Sequence, residues 1–125
     1  MRRGFTLIEL LVVAIIISIL ATIAVNRFSK SKERAYVAAM TTQLRTLIPA
    51  EELYRSDSAR YTTEVAQLQM VRESPQVHLD ITQADAQTWS ATARHDATSL
   101  TCTATGGIGS AGGALGQLAC PANGP

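Results

Sequence analysis

The sequence predicts an α+β protein, in which one long N-terminal helix packs on a small antiparallel sheet of about three to four strands. An apolar run at the N-terminus, a helical hydrophobic spacing after it and alternating residues in the C-terminal half all indicate this class. The 125 residues allow one domain. Eleven Lys+Arg against ten Asp+Glu give a formal net charge of +1, which indicates no basic surface for nucleic acid.

The first element is the apolar segment 5–25, in which 17 of 21 residues are hydrophobic. As a helix it would be about 31 Å long, close to the hydrocarbon thickness of a bilayer. A cleaved secretory signal peptide is the alternative, but its apolar core would be shorter and a small-residue cleavage site would follow. The sequence therefore favours a retained membrane helix.

The charges at the two ends of this segment leave its orientation open. Arg2 and Arg3 favour a cytoplasmic N-terminus, yet four basic residues follow the other end with one acid, Glu33. If the two Cys are paired, an oxidising compartment for the C-terminal part favours N-in, C-out. The four basic residues are Arg27, Lys30, Lys32 and Arg34.

Two polar features lie within the apolar segment. Glu9 would cost roughly 2.5 kcal/mol or more at mid-membrane. It lies only about 6 Å into the span, so contact with the headgroups and a functional role both explain it. A functional Glu9 needs a cationic partner. On the opposite side of the helix, Ala14, Ser18 and Thr22 recur every four residues, a small-residue stripe that allows close helix packing.

Residues 3–10, RGFTLIEL, resemble the N-terminus of bacterial type IV prepilins and related pseudopilins, and the resemblance extends to about Phe28. It implies that a prepilin peptidase cuts between Gly4 and Phe5, removes the leader 1–4 and methylates the new amine of Phe5. The loss of Arg2 and Arg3 would change the formal side-chain charge from +1 to −1.

The resemblance also implies a partner for Glu9, namely the N-terminal amine of a neighbouring subunit in a filament. Such pairing makes a buried charge tolerable. This sequence departs from the family at two positions, because Ser18 stands for the usual Gly and Asn26 for a helix-perturbing Pro.

After the span, residues 26–54 continue as an amphipathic helix. Pro49 should kink or break it, or begin a new helical turn, and the element should end near Tyr54. Residues 55–75 are predicted to form a loop. Tyr54 and Tyr61 are expected to pack under the helix. The apolar face of the helix is formed by Tyr36, Val37, Met40, Leu44, Leu47 and Ile48.

Three strands with alternating residues are predicted in the C-terminal half. The glycine-rich segment Gly106–Gly116 is predicted to be a flexible surface loop between Cys102 and Cys120. Two free thiols are the alternative to a disulfide, but many pilins close such a loop by one disulfide, which would contribute ~3 kcal/mol. The apolar strand residues are Val77, Leu79 and Ile81, then Trp89, Ala91 and Ala93, then Leu100, Cys102 and Ala104.

No catalytic arrangement is found, and no enzyme activity, metal or cofactor is expected. His78 and His95 are the two histidines, and both are predicted to be solvated polar residues. Four segments are expected: the leader 1–4, the span 5–25, the helix 26–54 and the sheet domain 55–125.

The resemblance implies a structural subunit of a type IV pilus, serving motility, adhesion or DNA uptake. The expected partners are copies of this chain, other pilins, prepilin peptidase, an inner-membrane assembly platform and, before assembly, membrane lipid. DNA is possible but not indicated by the net charge. The subunit would span the inner membrane N-in, C-out and then enter an extracellular pilus or periplasmic pseudopilus. A type II secretion pseudopilin and a monomeric membrane-anchored periplasmic binding domain are the alternatives.

Overall fold

The computed structural model describes residues 3–121 of the chain, so Met1 and Arg2 of the expected leader and the last four residues lie outside it. The fold is α+β, as predicted. The chain divides into two compact units between Lys32 and Glu33. The elements are the helix α1 (Leu7–Ser58) and the strands β1 (Val77–Ala84), β2 (Trp89–His95), β3 (Thr101–Gly106) and β4 (Gln117–Ala119), with 3₁₀ turns at Val65–Gln67 and Gly113–Leu115.

The first unit is the N-terminal part of α1. Its most apolar 18-residue window has a mean hydropathy of 2.9, so by length and composition this helix is a candidate membrane span. The large apolar side chains of segment 5–25 are 48% to 90% exposed. The helix is continuous through Ser18 and Asn26, the two positions that depart from the family pattern. Among residues 3–32, nothing covers this apolar surface.

In the second unit α1 continues through Pro49 to Ser58, so the predicted break at Pro49 and the predicted end near Tyr54 are wrong. Proline removes one backbone donor, but the residues around it are held in the core, because Leu47 and Ala50 are both buried. The helix ends where Ala59 adopts a left-handed conformation (φ 59°) and its N–H donates to the Arg55 carbonyl.

The sheet is an antiparallel meander in the order β1-β2-β3-β4. The three predicted strands are present, and their alternation places the predicted apolar side chains in the core. The exception is Leu100, which lies just before β3 and is half-buried. β4 is only three residues long and pairs with Thr103–Thr105 of β3. Its residues showed no clear alternation, which is why no separate pattern predicted it.

The core of the second unit lies between one face of α1 and the apolar face of the sheet. Because β2 and β3 contribute mainly Ala at their core positions, the indole of Trp89 fills much of the space. Trp89 lies opposite Gly106, where an added Cβ would come within 2.7 Å of the indole ring. The buried residues that α1 contributes are Met40, Leu44, Leu47, Ala50 and Glu51.

The segment Gly106–Gly116 is therefore not simply a surface loop. Gly106 belongs to β3, and both Gly106 and Gly107 are buried. Gly107 has φ 109°, and a Cβ there would clash with the backbone of Gln87. Glycine is required at this point for close backbone approach, whereas the sequence suggested only flexibility.

Candidate assembly segment and the disulfide-closed loop

The helix α1 begins with a capping box formed by Thr6 and Glu9. The Thr6 N–H donates to Glu9 Oε2 (2.9 Å), the Thr6 hydroxyl contacts the same oxygen (3.0 Å), and the Glu9 N–H donates to Thr6 Oγ1 (3.3 Å). Two N–H groups at the start of the helix are thereby satisfied. The pattern Thr-x-x-Glu before an apolar run could have revealed this arrangement from the sequence. Glu9 thus has a hydrogen-bond partner, Thr6, within the unassembled chain. The sequence had indicated only a cationic partner for this carboxylate.

The expected processing site precedes this capping box. Gly4 and Phe5 lie outside the helix, and both are exposed. A Cβ added at Gly4 would meet nothing within 4 Å, and the Phe5 side chain is 90% exposed. The two residues are therefore accessible to another protein, although their processing remains a prediction.

The small-residue stripe lies on the exposed surface of the first unit. The Ser18 hydroxyl donates to the Ala14 carbonyl (2.7 Å), and the Thr22 hydroxyl donates to the Ser18 carbonyl (2.9 Å). Both hydroxyls are satisfied within the helix, so a neighbour would meet small side chains without an unpaired donor. At about 100° per residue the stripe lies opposite Glu9, and the structure does not bring the two features together.

Cys102 and Cys120 form a disulfide, which confirms the predicted pairing. Cys102 is fully buried in β3, and Cys120 follows directly after β4. The Thr41 hydroxyl lies 3.3 Å from Cys120 Sγ. The disulfide therefore fixes the end of the glycine-rich segment beside α1 and supports a strand too short to be stable alone.

A buried carboxyl group lies near the C-terminal end of α1. Glu51 has no exposed surface. Its Oε2 accepts the Thr62 N–H at 3.1 Å, while its Oε1 has no partner. Burial raises the pKa of Glu51 to about 7, against the opposing effect of the Thr62 hydrogen bond. Its spacing of four and seven residues from Leu47 and Leu44 could have placed it on the buried face.

Residues next to Glu51 on α1 form hydrogen bonds with the loop that follows the helix. The Tyr61 hydroxyl donates to Glu52 Oε1 at 2.7 Å, and the Tyr61 ring is buried in the core. The Tyr54 hydroxyl donates to Gln67 Oε1 at 2.9 Å. The expectation that Tyr61 packs under the helix is confirmed, and the two tyrosines anchor the loop as well.

The two histidines have different environments. His78 is exposed on β1 and its Nε2 lies 2.8 Å from Asp96 Oδ1. His95 is the last residue of β2, is buried and packs on the Tyr36 ring, so the prediction that it is solvated is wrong. Its Nδ1 accepts the Ala97 N–H. Within residues 3–121, no three His, Cys, Asp or Glu side chains are grouped to hold a metal ion.

Comparison with known proteins identifies relatives of two kinds. A family model described as the prokaryotic N-terminal methylation motif matches residues 1–25. The chain is 35% identical over 74 residues to type II secretion system core protein G of Klebsiella pneumoniae, covering 59% of this chain and 53% of the relative. It is 43% identical over 61 residues to type IV major pilin protein PilA of Myxococcus xanthus, covering 49% and 28%.

A third relative is type IV wide pilus major component PilA4 of Thermus thermophilus, with 38% identity over 66 residues, 53% of this chain and 50% of the relative. The chain thus spans about half the length of the relatives it matches, or less. The match at the N-terminus coincides with the exposed Gly4-Phe5 pair, the Thr6–Glu9 capping box and the uncovered apolar helix. The chain is therefore similar both to type IV pilins and to type II secretion core protein G, and it carries the N-terminal methylation motif.

Proposed function

We propose that this protein is a structural subunit of a type IV pilus, processed by prepilin peptidase and polymerised through the N-terminal part of α1. The observation that carries the proposal is the apolar surface of segment 5–25, whose large side chains are 48% to 90% exposed. Exposed apolar area on this scale is unfavourable in water and requires a cover. Lipid supplies that cover before assembly, and the helices of other subunits supply it afterwards.

The polar groups of the first unit suit this two-stage cover. Glu9 accepts its hydrogen bonds through Oε2, which leaves Oε1 for a donor on another molecule. The N-terminal amine of a neighbouring subunit is such a donor, and it would form a charge-assisted bond in a low-dielectric surrounding. The stripe Ala14, Ser18 and Thr22 lets a second helix approach on the opposite side.

The C-terminal loop favours the pilus over the pseudopilus. Major pseudopilins usually lack a disulfide-closed loop of this kind, whereas many pilins have one. Here the Cys102–Cys120 disulfide closes the segment that carries Ile108 and Leu115, whose side chains are exposed. The similarity to type II secretion core protein G keeps the pseudopilin as the second candidate.

The subunit would first span the inner membrane with its N-terminus in the cytoplasm, where the peptidase and the assembly platform act. The sheet domain would then lie outside the cytoplasm, in an oxidising compartment that permits the disulfide. After assembly the protein would belong to an extracellular pilus.

Processing is tested by mass spectrometry of the intact protein from wild-type cells and from cells that lack the prepilin peptidase. The expected wild-type product begins at Phe5 and carries one added methyl group, and the peptidase-deficient product retains residues 1–4. The same N-terminus in both strains would contradict the proposal.

The choice between pilus and pseudopilus is tested in a strain from which the gene is deleted. Electron microscopy of sheared surface material measures the pili, and activity assays of the culture medium measure the secreted enzymes. Loss of pili with unchanged secretion is expected. Loss of secretion with unchanged pili would instead identify a pseudopilin.

A further inference from the structure

A basic cluster, defined as Arg27, Lys30 and Lys32, follows the apolar segment within the first unit. Residues 10–32 contain no Asp or Glu, and Glu33 follows directly, so residues 27–33 carry three basic side chains and one carboxylate, a formal charge of +2. All three side chains are exposed. Three positive charges are thus concentrated within six residues, at the end of the span away from the processing site.

The depth of this cluster in a membrane follows from the helix rise. Arg27 and Lys30 lie about 3 Å and 8 Å beyond Val25 along the helix axis. The headgroup region adds roughly 5–8 Å to each side of the hydrocarbon core. When segment 5–25 spans the hydrocarbon, these side chains therefore lie at the level of the lipid phosphates, and their flexible stems allow them to adjust.

Phe28 strengthens this placement. Its ring is 63% exposed, and the Lys32 ammonium lies 4.7 Å from the ring centroid. An exposed ring can contact the acyl chains just below the headgroups, while a cation held over its face extends towards the phosphates. An apolar surface and a positive charge at one level match the boundary between hydrocarbon and headgroups.

We propose that the basic cluster binds the phosphate groups of anionic phospholipids, in the leaflet at the C-terminal end of the span, before the subunit enters a filament. The proposal rests on the membrane insertion contained in the proposed function. Each Lys or Arg near an anionic membrane surface strengthens binding by about fivefold. The interaction would fix the depth of the helix and oppose extraction of the subunit from the membrane.

The test uses the full chain reconstituted in phosphatidylcholine vesicles at low protein content, so that neighbouring copies are rare. Flotation of the vesicles measures insertion. Electron spin resonance of spin-labelled phosphatidylglycerol and phosphatidylcholine measures the relative association constant of the two lipids for the protein. The cluster variant combines Arg27→Gln, Lys30→Gln and Lys32→Gln.

The control variant combines Arg45→Gln, Arg60→Gln and Arg72→Gln, which remove the same charge from exposed positions of the second unit. The wild type and the control should prefer phosphatidylglycerol by about fivefold or more, and molar NaCl should weaken this preference. The cluster variant should float with the vesicles, and its preference for phosphatidylglycerol should fall by about fivefold or more relative to the wild type.

Several outcomes would overturn the proposal. A cluster variant that keeps the preference for phosphatidylglycerol would do so. If that variant also failed to assemble, the three basic residues would act on carboxylates of another copy and not on lipid. Equal loss in the control would attribute the effect to net charge. A wild type that floats without any preference removes the headgroup contact alone, whereas a wild type that does not float removes the proposed membrane function as well.

Discussion

At the scale of single residues, Glu9 caps the start of α1 and, in the proposed function, also pairs with a neighbouring subunit. In the isolated chain its Oε2 accepts the Thr6 N–H and contacts the Thr6 hydroxyl, so the carboxylate stabilises the start of the helix. In the proposed filament its charge pairs with the amine of a neighbour. A hydrogen-bonded carboxylate costs less in a membrane than an unpartnered one, so the capping box would lower the cost of keeping the proposed subunit in the bilayer before assembly.

The two roles can be separated by substitution. Glu9→Val removes the capping bond and the charge, whereas Glu9→Gln keeps an amide oxygen that can accept from Thr6. We expect both variants to insert in the membrane and both to reduce assembly by roughly tenfold or more, because the incoming amine loses its partner. The measurement is the amount of pili in sheared surface material, with membrane fractions as the insertion assay.

Asp80→Asn serves as the control, because it removes one exposed negative charge from β1. Pili should form normally from this variant. If Glu9→Gln assembled as well as the wild type while Glu9→Val did not, helix capping rather than charge pairing would be the contribution of Glu9.

Several residue-scale features could be predicted from the sequence, and the reason is local chemistry. The family motif located Glu9, and the two cysteines around a glycine-rich segment were correctly predicted to pair. The burial of Glu51 and of His95 was not predicted, because both are polar residues at positions where burial depends on tertiary packing. A hydrophobic pattern marks a buried face by its apolar members and conceals a polar residue on that face.

At the scale of elements, the junction between α1 and the loop after it depends on the protonation of Glu51. The group is fully buried, beside Glu52, with one hydrogen-bond donor. Its pKa in the folded protein is about 7, above the ordinary value of 4.5. The folded state therefore holds a proton that the unfolded state releases, and this contribution to stability is complete below about pH 4.5 and is lost as the pH rises through 7.

We expect the contribution of Glu51 to the free energy of unfolding to fall by about 3 kcal/mol between pH 4.5 and 7. Glu51→Gln can still accept the Thr62 N–H but does not ionise, so it should flatten this decline and be more stable than the wild type at pH 8. Urea unfolding of the full chain in detergent micelles, at several pH values, measures the difference.

Asp57→Asn is the matched control, because it changes an exposed carboxyl group of the same helix. It should leave the pH dependence of the wild type in place. Equal slopes in the wild type and Glu51→Gln would show that Glu51 does not titrate between pH 4.5 and 7.

The elements themselves were predictable to different degrees. β1, β2 and β3 followed from alternation, because each buries one face. Continuation of α1 through Pro49 did not follow from local preference, since the packing of Leu47 and Ala50 outweighs the loss of one hydrogen bond. β4 is held by the disulfide and by its pairing with β3. A three-residue sequence pattern contains no information about either of these long-range contacts.

At the scale of the whole molecule, the two units differ in how they satisfy their apolar residues. The second unit buries its own core between α1 and the sheet. The first unit has no such core, and the large apolar side chains of segment 5–25 are left for lipid or for other copies to cover. A pilus subunit and a monomeric membrane-anchored domain would both combine a folded unit with an exposed apolar helix. They differ in whether the apolar helices of separate copies pack against one another.

A cysteine on the small-residue stripe distinguishes these two states. The native cysteines are paired, so Ser18→Cys introduces one free thiol on the exposed surface of the helix. In a filament the stripes bring helices close together, and oxidation of intact cells should yield covalent dimers. Non-reducing gel electrophoresis with immunoblotting measures them.

The yield of dimers should fall by roughly tenfold or more when Glu9→Val is added, because we expect that substitution to reduce assembly and to leave insertion intact. Their yield should also stay constant when expression is lowered, since neighbours in a filament remain in contact at any concentration, whereas random collisions in the membrane become rarer. Asp80→Cys, on the solvent side of β1, gives the background of collisions between sheet domains. A Ser18→Cys yield no higher than this background, in cells that make the protein abundantly, would favour a monomeric anchor over a filament subunit.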